Sequence, residues 1–126
     1  METVRVTVYS GEYLALDSFG AFEPDAGEGE SEGVRALIAS FRNGPEARLG
    51  VQSLEIDAGS FDAVLSGAIE VANYHDDYAE GRAGAGPSAA RMGRQDRDAM
   101  TRLADRVIAR ARKAGLVREP ARRAAR

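Results

Sequence analysis

The sequence predicts an α+β domain in which a small sheet of two or three strands is covered by two or three helices. Three observations lead there. The N-terminus alternates apolar and polar residues, three later segments carry an apolar period near 3.6, and glycine- or proline-rich breaks separate them. The expected order is β-(β)-α-β-α-α, ending in an amphipathic C-terminal helix.

Val4, Val6 and Val8 alternate with Arg5 and Thr7. A β-branched residue at every second position marks a strand with one buried face. Ser10-Gly11 then reads as a turn, and Glu12 to Asp17 is compatible with a returning strand. A two-residue loop would set Tyr13 and Ala15 beside the valines, and a longer one would set Leu14 and Leu16 there. The sequence leaves that register open. Glu23 to Gly33 is rich in glycine and glutamate with almost no apolar content, so it reads as a solvated acidic loop. Gly27 and Gly29 stand where a calcium loop needs carboxylates.

Ser31 is positioned to cap a helix running to about Arg42, with Val34, Leu37, Ile38 and Phe41 on one face and Asn43-Gly44-Pro45 as its stop. Val51, Leu54 and Ile56 suggest a short strand, its alternation blurred by Gln52 and Ser53. Ser60 is placed to cap the next helix, with Phe61, Val64, Leu65, Ala68, Ile69 and Ala72 as its apolar face and an end near Tyr78. Gly67 inside that helix costs about 1 kcal/mol relative to alanine, which points to a close approach by another element. Residues 79–88 read as a Gly-rich linker. The final helix spans about 89–114: Met100, Leu103, Ala104, Val107, Ile108 and Ala111 form its apolar stripe, opposite Arg102, Arg106, Arg110 and Lys113. Gly115 ends it, and residues 118–126 form a basic tail expected to be flexible.

At 126 residues the chain fits one compact domain, expected over 1–117, made of an acidic body (1–78), the linker and the basic helix. It holds no cysteine, which excludes disulfides, thiolate metal sites and a cysteine nucleophile. No signal-like or membrane-spanning apolar run occurs, so the expected location is the cytoplasm. A single lysine among seventeen basic residues suggests a GC-rich, bacterial coding origin. The net charge of −3 conceals a strong asymmetry. Residues 1–90 carry sixteen acidic and five basic residues, a net −11; residues 91–126 carry four and twelve, a net +8.

Few motifs carry chemistry. His75 is the only histidine, and with Asp57 and Asp76 it makes the one alternative site for acid–base or metal chemistry. Adjacent His75 and Asp76 diverge by about 100° on a helix, and no second histidine stands at i+3 or i+4. The plainer expectation is a polar residue near an exposed helix end, favoured there by the helix dipole. The glycines of 81–88 lack the lysine of a phosphate loop. No serine sits in a nucleophile elbow. No catalytic residue, metal site or cofactor is therefore expected.

The charge asymmetry makes a non-enzymatic protein-interaction module the leading expectation, in the manner of a small inhibitor or accessory protein, with self-association into a homodimer as one form. Its partner-binding residues would be Glu28, Glu30, Glu32, Asp76 and Asp77 on the acidic side, and Arg102, Arg106, Arg110 and Lys113 on the basic side. A nucleic-acid-binding protein using the basic helix and tail is the alternative; it is less favoured because no base-reading residues accompany the arginines and the body is acidic. A small enzyme or metal-binding protein centred on His75 is the third.

Overall fold

In a computed structural model of the chain, the described residues are 3–21, 31–41, 52–81 and 87–116. They form β1 (Thr3–Val8), α1 (Ser10–Phe19), α2 (Glu32–Ala39), β2 (Gln52–Asp57), α3 (Phe61–Gly81) and α4 (Pro87–Lys113). The architecture is α+β, with one two-stranded antiparallel sheet. Val4, Val6 and Val8 stand opposite Ile56, Leu54 and Gln52, and all six point into the core. Gln52 therefore holds an inward position, which is why the apolar alternation of β2 looked broken in the sequence. The outer face is polar, with Arg5 directly across from Glu55.

The stretch expected as a returning strand is helix α1. Glu12, Ala15 and Leu16 are buried and Phe19 is partly buried, which is a helical spacing. Its first inward position is a glutamate, and this hid the period. Tyr9 precedes the helix, and the Glu12 carboxylate reaches back to accept its backbone N–H at 2.9 Å. Gly20 ends α1 at φ 92°, with Gly20 N–H donating to Asp17 C=O and Ala21 N–H to Leu16 C=O. Gly115, at φ 74°, closes α4 the same way, and Leu116 folds back onto the core.

Ser31 caps α2 as expected, its hydroxyl accepting the Val34 N–H at 3.1 Å. The helix stops at Ala39, and Phe41 bridges to Leu54 along the outer edge of β2. Arg42, the Asn43-Gly44-Pro45 stop and Val51 lie outside the described residues. At the start of α3 the Ser60 hydroxyl turns back to accept the Asp57 N–H, and the Asp57 carboxylate accepts the Ser60 N–H. Ser60 thus locks a turn with Asp57 instead of capping forward.

The inward face of α3 is rotated from its expected position. Val71 is fully buried whereas Ile69 is exposed, because α2 and α4 grip α3 from two sides. Gly67 meets Gly33 of α2 so closely that a Cβ at position 67 would sit 2.6 Å from the Gly33 carbonyl carbon. Where a linker was expected over 79–88, α3 continues through Gly81 with Ala79 buried, and α4 begins at Pro87. Proline suits a first helical position because the N–H it lacks would have no partner there. Residues 82–86, and the tail 118–126, lie outside the described residues.

Helix α4, about 40 Å long, docks its apolar stripe on α3, α1 and β1. Its Arg106 and Arg110 donate to the Thr7 and Arg5 carbonyls along the open edge of β1. That covers a strand edge otherwise free to pair. Among the described residues no helix is long and apolar enough to cross a membrane.

Candidate functional site

The C-terminal half of α1, the middle of α3 and the first half of α4 converge on His75. The approach is close because Gly93 of α4 lies over Ala79 of α3. A Cβ at position 93 would stand 2.8 Å from the Ala79 Cβ and 3.1 Å from the His75 carbonyl oxygen. This contact brings Asp96, one turn further along α4, beside the imidazole.

His75 is only 3 % exposed. It is therefore a core residue, six positions before the end of α3, and not the exposed helix-end residue its sequence context suggested. Its Nε2 lies 2.8 Å from the Ala15 carbonyl oxygen. A carbonyl only accepts, so Nε2 carries the proton. Nδ1 faces the Asp96 carboxylate, with 3.8 Å to Oδ2. Tyr74 stacks edge-on against Phe19 at 4.9 Å between centroids, and its ring lies 5.2 Å from the imidazole and 6.4 Å from Tyr78.

These groups frame a cleft of about 220 Å³ whose lining includes Ser18, Tyr74, His75, Tyr78, Met92 and Asp96, with Ala89 and Gly93 beside them. A shallower hollow continues from Asp96 along the groove between α1 and α4, past Gly11, Leu14, Gln95 and Ala99. The rim is apolar and wet: Leu14 is 59 % exposed, Tyr74 42 % and Met92 60 %.

The cleft brings Ser18, His75 and Asp96 together, the residue types of a nucleophilic triad. Their arrangement does not suit that chemistry. An imidazole has two nitrogens, and here one donates to Ala15 while the other faces Asp96. With Nε2 spent on Ala15, the serine and the carboxylate cannot sit on opposite ring nitrogens, as a triad requires.

No family model, no curated protein and no solved structure matches this chain.

The alternative set Asp57, His75 and Asp76 is not brought together. Asp57 holds the turn at the start of α3, and from Ser60 to His75 the helix rises about 22 Å. Asp76 points away from His75 toward α4, where its carboxylate accepts from Arg97 at 2.8 Å. Asp76 and Asp98 together hold the Arg97 guanidinium above its ordinary pKa. Among the described residues no group of three His, Asp or Glu side chains is placed to hold a metal ion.

The residues singled out as partner-binding fare differently from one another. Glu28 and Glu30 lie outside the described residues. Glu32 is exposed in the first turn of α2, and Asp77 is exposed on α3. Arg102 and Lys113 project into solvent from α4. Arg106 does not: its guanidinium clasps the buried Glu12 carboxylate in a two-pronged pair at 2.7 and 2.9 Å, and it stacks over the Tyr9 ring at 4.8 Å. That hydrogen-bonded partner raises the Arg106 pKa. Arg110 leans on the Arg5 carbonyl at 3.3 Å. Two of the four stripe cations are thus engaged within the fold, tying the basic helix to the acidic body.

The cleft escaped the sequence reading because its residues come from three segments separated by up to 78 positions. Two local signals were present. Tyr74 with Tyr78, and Met92 with Asp96, each share one helical face at i and i+4.

Proposed function

We propose that the chain is a non-enzymatic protein-interaction domain, an accessory or inhibitory subunit of a bacterial cytoplasm, that engages its partner through the face built by α1 and the first half of α4. One observation carries this reading: Tyr74 and Met92 are exposed around the cleft and Leu14 around the hollow that adjoins it at Asp96, three large apolar side chains on three different helices. A large apolar side chain left in water on one face of a domain forgoes about 1.5–3 kcal/mol of burial. Aromatic and methionine side chains are also enriched at protein interfaces. The internal use of Arg106 and Arg110 turns the charge asymmetry toward holding the fold, and leaves Arg102 and Lys113 as the solvent-facing cations of the stripe. This weighs against a nucleic-acid site on α4, where several phosphate contacts would be needed for useful affinity.

The test is affinity purification from native extract with wild type, Met92→Glu and the double variant Arg102→Gln/Lys113→Gln. A partner held by wild type and the double variant but lost by Met92→Glu supports the proposal. If light scattering shows a doubled mass that Met92→Glu abolishes, the partner is a second copy of the chain. Recovery of nucleic acid that the double variant loses, with Met92→Glu unaffected, overturns it.

A further inference from the structure

We infer that the His75 cleft is a binding site for an organic ammonium group carried on an apolar body. This deepens the interaction reading, since the lysine side chain of a partner protein is one source of such a group and a free small amine is the other. The inference begins with the charge of the lining. Among the described residues that line the cleft, Asp96 is the one formally charged side chain, and none is a lysine or arginine. The Asp96 side chain is about one-fifth exposed, so it is partly desolvated while still open to an incoming group. Beside it, His75 Nδ1 makes no hydrogen bond among the described residues, its approach to Asp96 being 3.8 Å, and in the neutral ring whose Nε2 donates to Ala15 it is an acceptor. The Tyr74 and Tyr78 rings, 6.4 Å apart and inclined by 33°, also line the cleft. Met92 adds a polarizable apolar surface on the other side.

A carboxylate, an imidazole acceptor and two phenol rings select a cation over an anion, because the ring faces carry negative electrostatic potential. They select an organic cation over a metal ion. Zinc takes three or four protein ligands, and a hard divalent ion takes oxygen donors, whereas the described lining offers one carboxylate and one imidazole nitrogen. Size narrows the class further. A cleft of about 220 Å³ falls below the range of roughly 300–1,000 Å³ that encloses drug-sized molecules. It suits an alkylammonium or a methylated ammonium on a short chain, not a nucleotide. Of the nearby described cations, Arg97 is held by Asp76 and Asp98, and Arg102 lines the adjoining hollow, not the cleft itself. Among the described residues, the carboxylate of Asp96 has an imidazole at 3.8 Å and no guanidinium partner.

The experiment is an NMR titration of the intact chain with n-butylammonium, with tetramethylammonium, with N-acetyl-lysine methylamide as the side-chain mimic, and with n-pentanol as the neutral counterpart of the first. The single imidazole and the amides of Tyr74, Tyr78, Met92 and Asp96 report on the site. Expected is saturable binding near the millimolar range by the ammonium probes, at least about tenfold tighter than the alcohol. Asp96→Asn should weaken the ammonium probes about tenfold and leave the alcohol unaffected. Tyr74→Leu, which keeps an apolar side chain against Phe19 at a position 42 % exposed, should weaken tetramethylammonium several-fold. Binding only by the lysine mimic identifies a protein side chain as the source, and equal binding by n-butylammonium identifies a free amine. Equal affinity for alcohol and ammonium, unchanged affinity in Asp96→Asn and Tyr74→Leu, or shifts confined to residues outside the cleft would overturn the site. The interaction reading itself fails separately, through retention of a partner by Met92→Glu.

Discussion

Replacing Gly67 with alanine should destabilise the protein, although glycine inside a helix is ordinarily a defect that alanine repairs by about 1 kcal/mol. The reason is the crossing of α2 over α3. A Cβ at position 67 would lie 2.6 Å from the Gly33 carbonyl carbon, nearer still to its oxygen, and 3.1 Å from the Val34 nitrogen. All three atoms are backbone, so no side chain can rotate out of the way. To restore van der Waals contact, α2 must retreat by about 1 Å. Overpacking of this kind costs about 1–3 kcal/mol, and a rigid obstacle places it at the upper end. Subtracting the propensity gain leaves a net loss of about 2 kcal/mol. Complete undocking of α2 would expose Val34 and Leu37 at about 1.5–3 kcal/mol each, so strained docking remains the less costly response. Gly33→Ala meets the Gly67 nitrogen at 2.9 Å and should cost less. Gly11→Ala has no atom within 4 Å of its new Cβ and should gain about 0.5 kcal/mol in the first turn of α1. Urea denaturation of the three variants, followed by circular dichroism, measures the series. A Gly67→Ala protein as stable as wild type, with an unchanged amide spectrum, would refute the backbone-contact reasoning.

Arg106→Met should cost about 3 kcal/mol, because it strands the Glu12 carboxylate, 2 % exposed, with only the Tyr9 N–H as partner. The double variant Glu12→Leu/Arg106→Met should recover most of that loss, and a double variant no more stable than the single one in the same urea titration contradicts it. Glu12 raises the Arg106 pKa. A raised basic group contributes fully below its unfolded-state pKa and loses its contribution only as pH climbs through the folded one. Both lie far into alkali, so the Arg106 contribution should not change between about pH 7 and about pH 9. His75→Ala should cost about 2 kcal/mol through the cavity and the lost bond to Ala15, whereas His75→Gln, whose amide can still donate to Ala15, should cost less than about 1. Equal melting temperatures for the two variants would show that the bond is unimportant. Truncation after Ala90 removes the buried Met100, Leu103 and Val107 and should abolish the cooperative thermal transition, so a truncated chain with a sharp melt contradicts the role given to α4.

Much of this architecture is written into local sequence. Val4, Val6 and Val8 specify a strand with one buried face whatever surrounds them. Ser31 followed by Val34 and Leu37 specifies a capped amphipathic helix, and the stripe from Met100 to Ala111 specifies another that ends at Gly115. Even the close packing at Gly67 was legible, since an unfavourable residue inside a strong helix needs a compensating contact. Each of these signals depends on residues within a few positions of one another, where helix and strand geometry fix which side chains share a face.

Tertiary structure decided everything that depends on which neighbour arrives. Glu12 takes a core position only because Arg106, ninety-four residues away, brings the matching charge. Without that partner in view, the segment around it carries no helical period. The α3 face that goes inward includes Val71 and excludes Ile69 because two helices press on it from different sides. His75 looked like a surface residue beside two aspartates, and became a core residue when α1 supplied a carbonyl and α4 supplied Asp96. A local pattern states what a face can bury; only the packed partners determine which charges are neutralised, which apolar residues stay wet, and where a cleft remains between them.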